Sequence, residues 1–117
     1  MSARPGDVVV IEWPFSAGTG SKARPAVIVQ NDKDNQRMTN TIVAMVTSRL
    51  YRAAEPTQFL VDVSTPEGKL TGLHQTSVIN CANVFTLNQG KVLQTIGTLS
   101  AALVVKLNDC LKAALEL

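Results

Sequence analysis

The chain has 117 residues, 45% of them apolar and 17% charged, with a formal net charge of +2. That composition supplies one hydrophobic core and excludes a disordered chain, while the near-balance of charge neither requires nor excludes a nucleic-acid partner. No stretch approaches the ~20 continuous apolar residues of a membrane helix, and the N-terminus lacks the apolar segment of a signal peptide; no membrane association and cytoplasmic residence are expected.

Val8-Val9-Val10-Ile11 opens the chain as a strand that runs to Glu12-Trp13-Pro14-Phe15. Pro14 has no N–H for a ladder, so regular pairing is expected to stop there. Ser16-Ala17-Gly18-Thr19-Gly20-Ser21 reads as a mobile polar loop. Lys22-Ala23-Arg24-Pro25 leads into a second strand, Ala26 to Gln30. Pro25 disfavours helical geometry at Arg24, which places the guanidinium on extended backbone at the root of the loop. Asn31 to Gln36 is polar turn chemistry. Thr41 to Thr47 is β-branched and apolar on both sides, the pattern of a central strand.

A connection follows, then a fourth strand, Thr57 to Val63, and a turn at Thr65-Pro66-Glu67-Gly68-Lys69. Gln75 to Val84 holds a fifth strand, bent near Asn80, and Asn88-Gln89-Gly90 turns the chain into a last short strand within Val92 to Thr98. Ser100 caps a helix over Ala101 to Leu117, with Leu103, Val104, Leu107, Leu111, Ala114 and Leu115 at helical spacing. The expected fold is mainly β, a partly open antiparallel barrel with a C-terminal helix, in a single domain over residues 1–117.

Several chemistries find no support in this pattern. Cys81 and Cys110 lack zinc-site neighbours and read as buried free thiols, with a disulfide as the alternative. His74 is the one histidine and the carboxylates show no convergent spacing, so no metal is expected, nor any other cofactor; no serine sits in the nucleophile elbow of a Ser/His/Asp hydrolase. Lys22, Arg24, Arg49 and Arg52 fall near two strand ends, with Glu55 the nearest following acid, and form a candidate basic patch.

What remains is Arg24, Thr47 or Ser48, and the segment His74-Gln75-Thr76-Ser77. Such a set suits RNA cleavage, where the substrate supplies its own nucleophile. The ribose 2′-hydroxyl attacks phosphorus, and the protein needs a cation for the developing charge and help with proton transfer. Each residue also has a plainer reading. Arg24 serves equally as a strand-entry ion pair, Thr47 as a strand-end threonine and His74 as a turn histidine, while Trp13 and Phe15 suit packing as well as base stacking.

Taken together, Gly6-Asp7-Val8-Val9, Arg24-Pro25-Ala26-Val27-Ile28-Val29-Gln30-Asn31-Asp32, Thr41 to Ser48, Gly72-Leu73 with Thr76 to Asn80, and Ile96 to Ser100 resemble the MazF/PemK family of toxin endoribonucleases over nearly the whole chain. The resemblance implies an SH3-like barrel with a C-terminal helix and a homodimer. It also implies metal-independent, ribosome-independent cleavage of single-stranded RNA, usually mRNA, within short motifs. The family's catalytic arginine and threonine map onto Arg24 and Thr47. Ser48, Gln75, Ser77, Lys22 and Trp13 are the expected substrate-binding residues. A cognate antitoxin whose C-terminal segment occupies the RNA groove is implied as partner. The first loop is short and lacks the acidic and glutamine residues of some relatives, and His74-Gln75 falls where relatives vary. The alternative is a non-cleaving toxin of the same fold that poisons a protein such as DNA gyrase, as CcdB-like toxins do; a member that only binds its antitoxin is a third reading.

Overall fold

Apolar residues follow one another without alternation in the first three strands, which requires both faces of the sheet to be covered. The computed structural model describes residues 3–13 and 22–117; the expected mobile loop, with Pro14 and Phe15, lies outside them. Strands β1 (Asp7–Trp13), β2 (Lys22–Ile28), β3 (Asn40–Thr47), β4 (Gln58–Val61), β5 (Ser77–Asn88) and β6 (Val92–Thr98) form one antiparallel sheet. Its order is β4-β5-β3-β2-β1-β6, with β3 in the interior as its composition predicts. On one face Val8, Val27, Ala44, Val46 and Ile79 pack with Leu103, Leu107 and Cys110 of the C-terminal helix α3 (Ala101–Leu115). On the other, Val9, Ile11, Ala26, Ile28 and Val43 form a second core, edged by Trp13 and Phe85.

The fold is the expected mainly β one, and the barrel is partly open as expected: it does not close through hydrogen bonds, because β4 and β6 are the free edges of the sheet. A strap of backbone spans the gap instead. After the short helix α2 (Pro66–Leu70), Gly72 adopts φ +73°, and a Cβ there would fall on the carbonyl oxygen of Ile96 in β6. A Cβ at Gly97 would fall on the backbone of Leu70 and Thr71. Two glycines thus let residues 70–72 lie directly against β6.

Departures from the sequence reading are local. The polar segment after β2 forms a helix, α1 (Asp32–Arg37), where the Asn31 side chain accepts the Asp34 N–H at 2.8 Å. A capping asparagine and an acidic first turn stabilise six residues that carry no apolar period. Thr65 likewise caps α2, accepting the Gly68 N–H at 3.0 Å. β4 is shorter than expected because Asp62 turns the chain: its carboxylate accepts the Ser64 hydroxyl and N–H at 2.7 and 2.9 Å, which holds the carboxyl below its usual range. β5 is longer, and it bends where expected. Met45 pairs with Asn80 but the adjacent Ala44 pairs with Val84, so residues 81–83 bulge out. Ser100 caps α3, which ends at Leu115 with Glu116 in the left-handed region. Cys81 and Cys110 are free and buried; burial pushes the Cys81 thiol up to about 12, so it stays protonated at neutral pH.

Asn35, 2% exposed on α1, is the polar hub of the fold. Its side-chain oxygen accepts from Gln30 at 2.9 Å and from the Thr41 hydroxyl at 2.7 Å, and its amide donates to the Gln30 carbonyl at 2.8 Å. Asn35→Ala strands those partners in a dry site and is expected to cost about 2–4 kcal/mol, read from urea denaturation.

Candidate nucleic-acid interface

A proline opens the site. The β2–β3 ladder runs Ile28↔Val43, Val27↔Ala44, Ala26↔Met45, and stops. The next residue of β2 is Pro25, which has no N–H to continue it. From there β2 stays with β1, reaching Lys22↔Trp13, while β3 stays with β5, reaching Thr47↔Val78. The strands part, and the interrupted register, carried two residues further, sets Arg24 against Thr47 across the gap. Arg24 therefore lies within β2, not at its entry as the sequence reading has it.

A groove of about 830 Å³ opens at this fork. Arg24 and Thr47 line it from the strands, Ser48 and Arg49 from the connection after β3, and His74 and Gln75 from the segment that follows the strap. Gln94 and Thr95 of β6 complete it, and no Asp or Glu belongs to its described lining. The groove is thus cationic and open, suited to an extended anionic ligand.

Arg24 is exposed, and the three ion pairs among the described residues, Arg37–Asp34, Arg52–Glu55 and Lys91–Glu12, leave it out. Its guanidinium lies 5.6 Å from the centroid of the Trp13 ring, and Phe85 meets that ring edge-on at 5.5 Å and 87°. The cation is positioned by a held aromatic plate, which leaves its fork of N–H groups for an oxyanion. Of the two readings for Arg24, the ion pair with a carboxylate is the one the described residues do not contain.

Thr47 Oγ1 accepts the Arg49 N–H at 3.2 Å. That fixes the oxygen while its proton, with no acceptor among the described residues, remains to donate. Ser48 and Gln75 are exposed in the groove, and His74 is exposed beside them. Ser77 reaches the lining but is buried, and its hydroxyl donates to the Gln75 carbonyl at 2.8 Å, so it braces the turn that presents Gln75. Lys22 is exposed, pairs with Trp13 in the ladder and does not line the groove. Among the described residues no three His, Cys, Asp or Glu side chains converge as a ligand set, and no helix is long and apolar enough to cross a membrane.

A second recess of about 350 Å³ adjoins the first and shares Arg24, Met45, Thr47 and Arg49 with it. It adds Trp13, Tyr51, Arg52, Gln58 and Asn80. The sequence reading names the arginines and Trp13 but gives Tyr51, Gln58 and Asn80 no role in the site. An aromatic between Leu50 and Arg52 in a polar connection was the available signal.

A family model described as "PemK-like, MazF-like toxin of type II toxin-antitoxin system" matches residues 4–115. The chain belongs to this family. The endoribonuclease MazF6 of Mycobacterium tuberculosis is 30% identical over 105 residues, covering 89% of this chain and 88% of its own. The endoribonuclease MazF of Staphylococcus saprophyticus is 29% identical, over 97% of this chain and 92% of its own. Among solved structures, the M. tuberculosis toxin MazF-mt6 superimposes with a TM-score of 0.76 at 25% identity, covering 95% of this chain and 97% of its own. A mycobacterial endoribonuclease solved in complex with its cognate antitoxin gives 0.78 at 23% identity, over 99% and 97% of the two chains, a likeness of fold. In this family member the fork at Pro25 and the strap build the groove, and the Trp13 plate positions Arg24 in it.

Proposed function

We propose that this toxin is an endoribonuclease that cuts single-stranded RNA, mRNA in particular, at short sequence motifs and without a metal ion. The observation that carries the reading is Arg24, stacked on Trp13 with no carboxylate partner among the described residues and set against Thr47 at an acid-free groove. The ribose 2′-hydroxyl gives up its proton, O2′ bonds to phosphorus, and the bond to O5′ breaks as that oxygen takes a proton. The products are a 2′,3′-cyclic phosphate and a 5′-hydroxyl end. Arg24 stabilises the charge that gathers on the phosphoryl oxygens, and the Thr47 hydroxyl donates to one of them. A guanidinium with a pKa above ~12 is not the base, so Arg24 acts as an electrostatic group.

Ser48 and Gln75 contact the RNA from the groove wall, with Ser77 holding Gln75 in place, Trp13 holding Arg24, and Lys22 adding charge nearby. The same groove receives the C-terminal segment of a cognate antitoxin, and the toxin works as a homodimer. The relatives' names as endoribonucleases support cleavage over the poisoning of a protein target such as gyrase.

The test is incubation of the purified protein with single-stranded RNAs of varied sequence in EDTA, followed by sequencing of 5′-hydroxyl ends. Cleavage that persists in EDTA and clusters at one motif is expected; intact RNA throughout overturns the reading.

A further inference from the structure

We propose that the second recess is a nucleotide subsite, in which Tyr51 stacks on the unpaired base next to the scissile phosphate while Asn80 and Gln58 bond its edge. The inference rests on the nuclease reading and concerns what selects the RNA sequence.

Continuity comes first. Arg24 and Thr47 line both the groove and the recess, so a strand whose phosphate sits between them has its neighbouring nucleotide directed into one or the other. Charge suits the recess as it does the groove, since Arg24, Arg49 and Arg52 line it and no carboxylate does among the described residues. The nearby acid, Glu55, is engaged: it accepts from Arg52 Nη1 at 3.4 Å and from Gln58 Nε2 at 3.1 Å.

Tyr51 supplies a platform. It is 75% exposed, an unusual state for a large aromatic in a small domain. The Arg52 guanidinium sits 5.2 Å from its ring centroid, and Glu55 holds that arginine. A ring backed by a tethered cation and otherwise open to solvent is a stacking surface for a base.

Two amides supply the edge contacts, and their orientations follow from chemistry. Gln58 is buried, and because its nitrogen donates to the Glu55 carboxylate, its oxygen is the group left to accept. Asn80 accepts the Ala82 N–H at 2.9 Å through its oxygen, so its NH₂ is left to donate. The two residues are direct register partners across β4 and β5. One donor and one acceptor side by side on rigid strands match the adjacent acceptor and donor on the edge of an unpaired base. An acidic peptide would use the arginines but leave this pair and the ring face without a flat partner.

Binding is measured with RNA oligomers carrying a 2′-deoxy sugar at the cleavage position, which prevents turnover. Tyr51→Ala is expected to weaken binding roughly tenfold to a hundredfold, the range of one base–aromatic stack removed. Tyr51→Phe restores it, and the difference from wild type vanishes on RNA shortened by that nucleotide. Asn80→Asp keeps the acceptor for Ala82 and removes the donor. It is expected to change the base preferred at a single position beside the cut in sequenced 5′-hydroxyl ends. Cleavage by both variants with wild-type affinity and preference overturns the subsite alone, as does a Tyr51→Ala defect confined to antitoxin binding. Wild-type protein that neither binds nor cuts RNA overturns the nuclease reading with it.

Discussion

Arg24→Ala is expected to lower RNA cleavage by about 10²–10³-fold or more, the usual cost of removing one electrostatic donor from a phosphoryl or acyl transition state. It does so in a protein whose melting temperature falls by no more than about 5 °C. The separation of the two effects is what the geometry requires. Arg24 is exposed, forms none of the ion pairs among the described residues, and packs its guanidinium over Trp13. The fold therefore gives up one cation–π interaction, about 0.5–1 kcal/mol at an exposed site. On the proposed mechanism the reaction gives up the charge that faces the phosphate. Arg24→Lys keeps the charge but not the planar fork or its stacking on the indole, so it recovers part of the rate. Single-turnover cleavage alongside thermal denaturation reads both quantities; a variant that cuts at wild-type rate removes Arg24 from the mechanism.

What the sequence made legible, and what it hid, divides by range. The strands of the core, the bend at Asn80 and the Ser100 cap were readable because each is written in local pattern: β-branched runs, a polar residue in an apolar strand, a capping side chain before an apolar period. The two short helices were not, since α1 and α2 are too brief for a period and are held by the Asn31 and Thr65 caps. Pro25 was read for its effect on Arg24, but its larger effect is on the partner strand, ending the ladder that would have zipped Arg24 to Thr47. Ser77 was read as a groove residue and does reach the lining, but that its hydroxyl also braces the Gln75 carbonyl depends on which way one hydroxyl donates. The stacking of Trp13 beneath Arg24 and the meeting of Tyr51, Gln58 and Asn80 depend on pairing between distant strands, which residue types alone do not encode.

Gly72→Ala and Gly97→Ala are each expected to cost about 3 kcal/mol or more, as backbone-on-backbone overpacking that no rotamer change relieves. They act at one place from opposite sides: a methyl at Gly72 meets the Ile96 carbonyl, and a methyl at Gly97 meets Leu70 and Thr71. Gly72 carries a further penalty because its φ of +73° costs an L-residue about 1–2 kcal/mol, so it is the worse of the two. The consequence for function is separate from stability. The strap runs directly into His74 and Gln75, and Gly72 and Ile96 themselves line the groove, so pushing the strap off β6 displaces one side of the site. Asn35→Ala is the matched control, losing comparable stability at a hub that lines neither recess. Cleavage is compared per folded molecule at a temperature where all three variants retain their fold. The glycine variants then lose activity and Asn35→Ala does not. Equal activity across the set means that the strap supports the barrel and leaves the RNA groove to the β2–β3 fork alone.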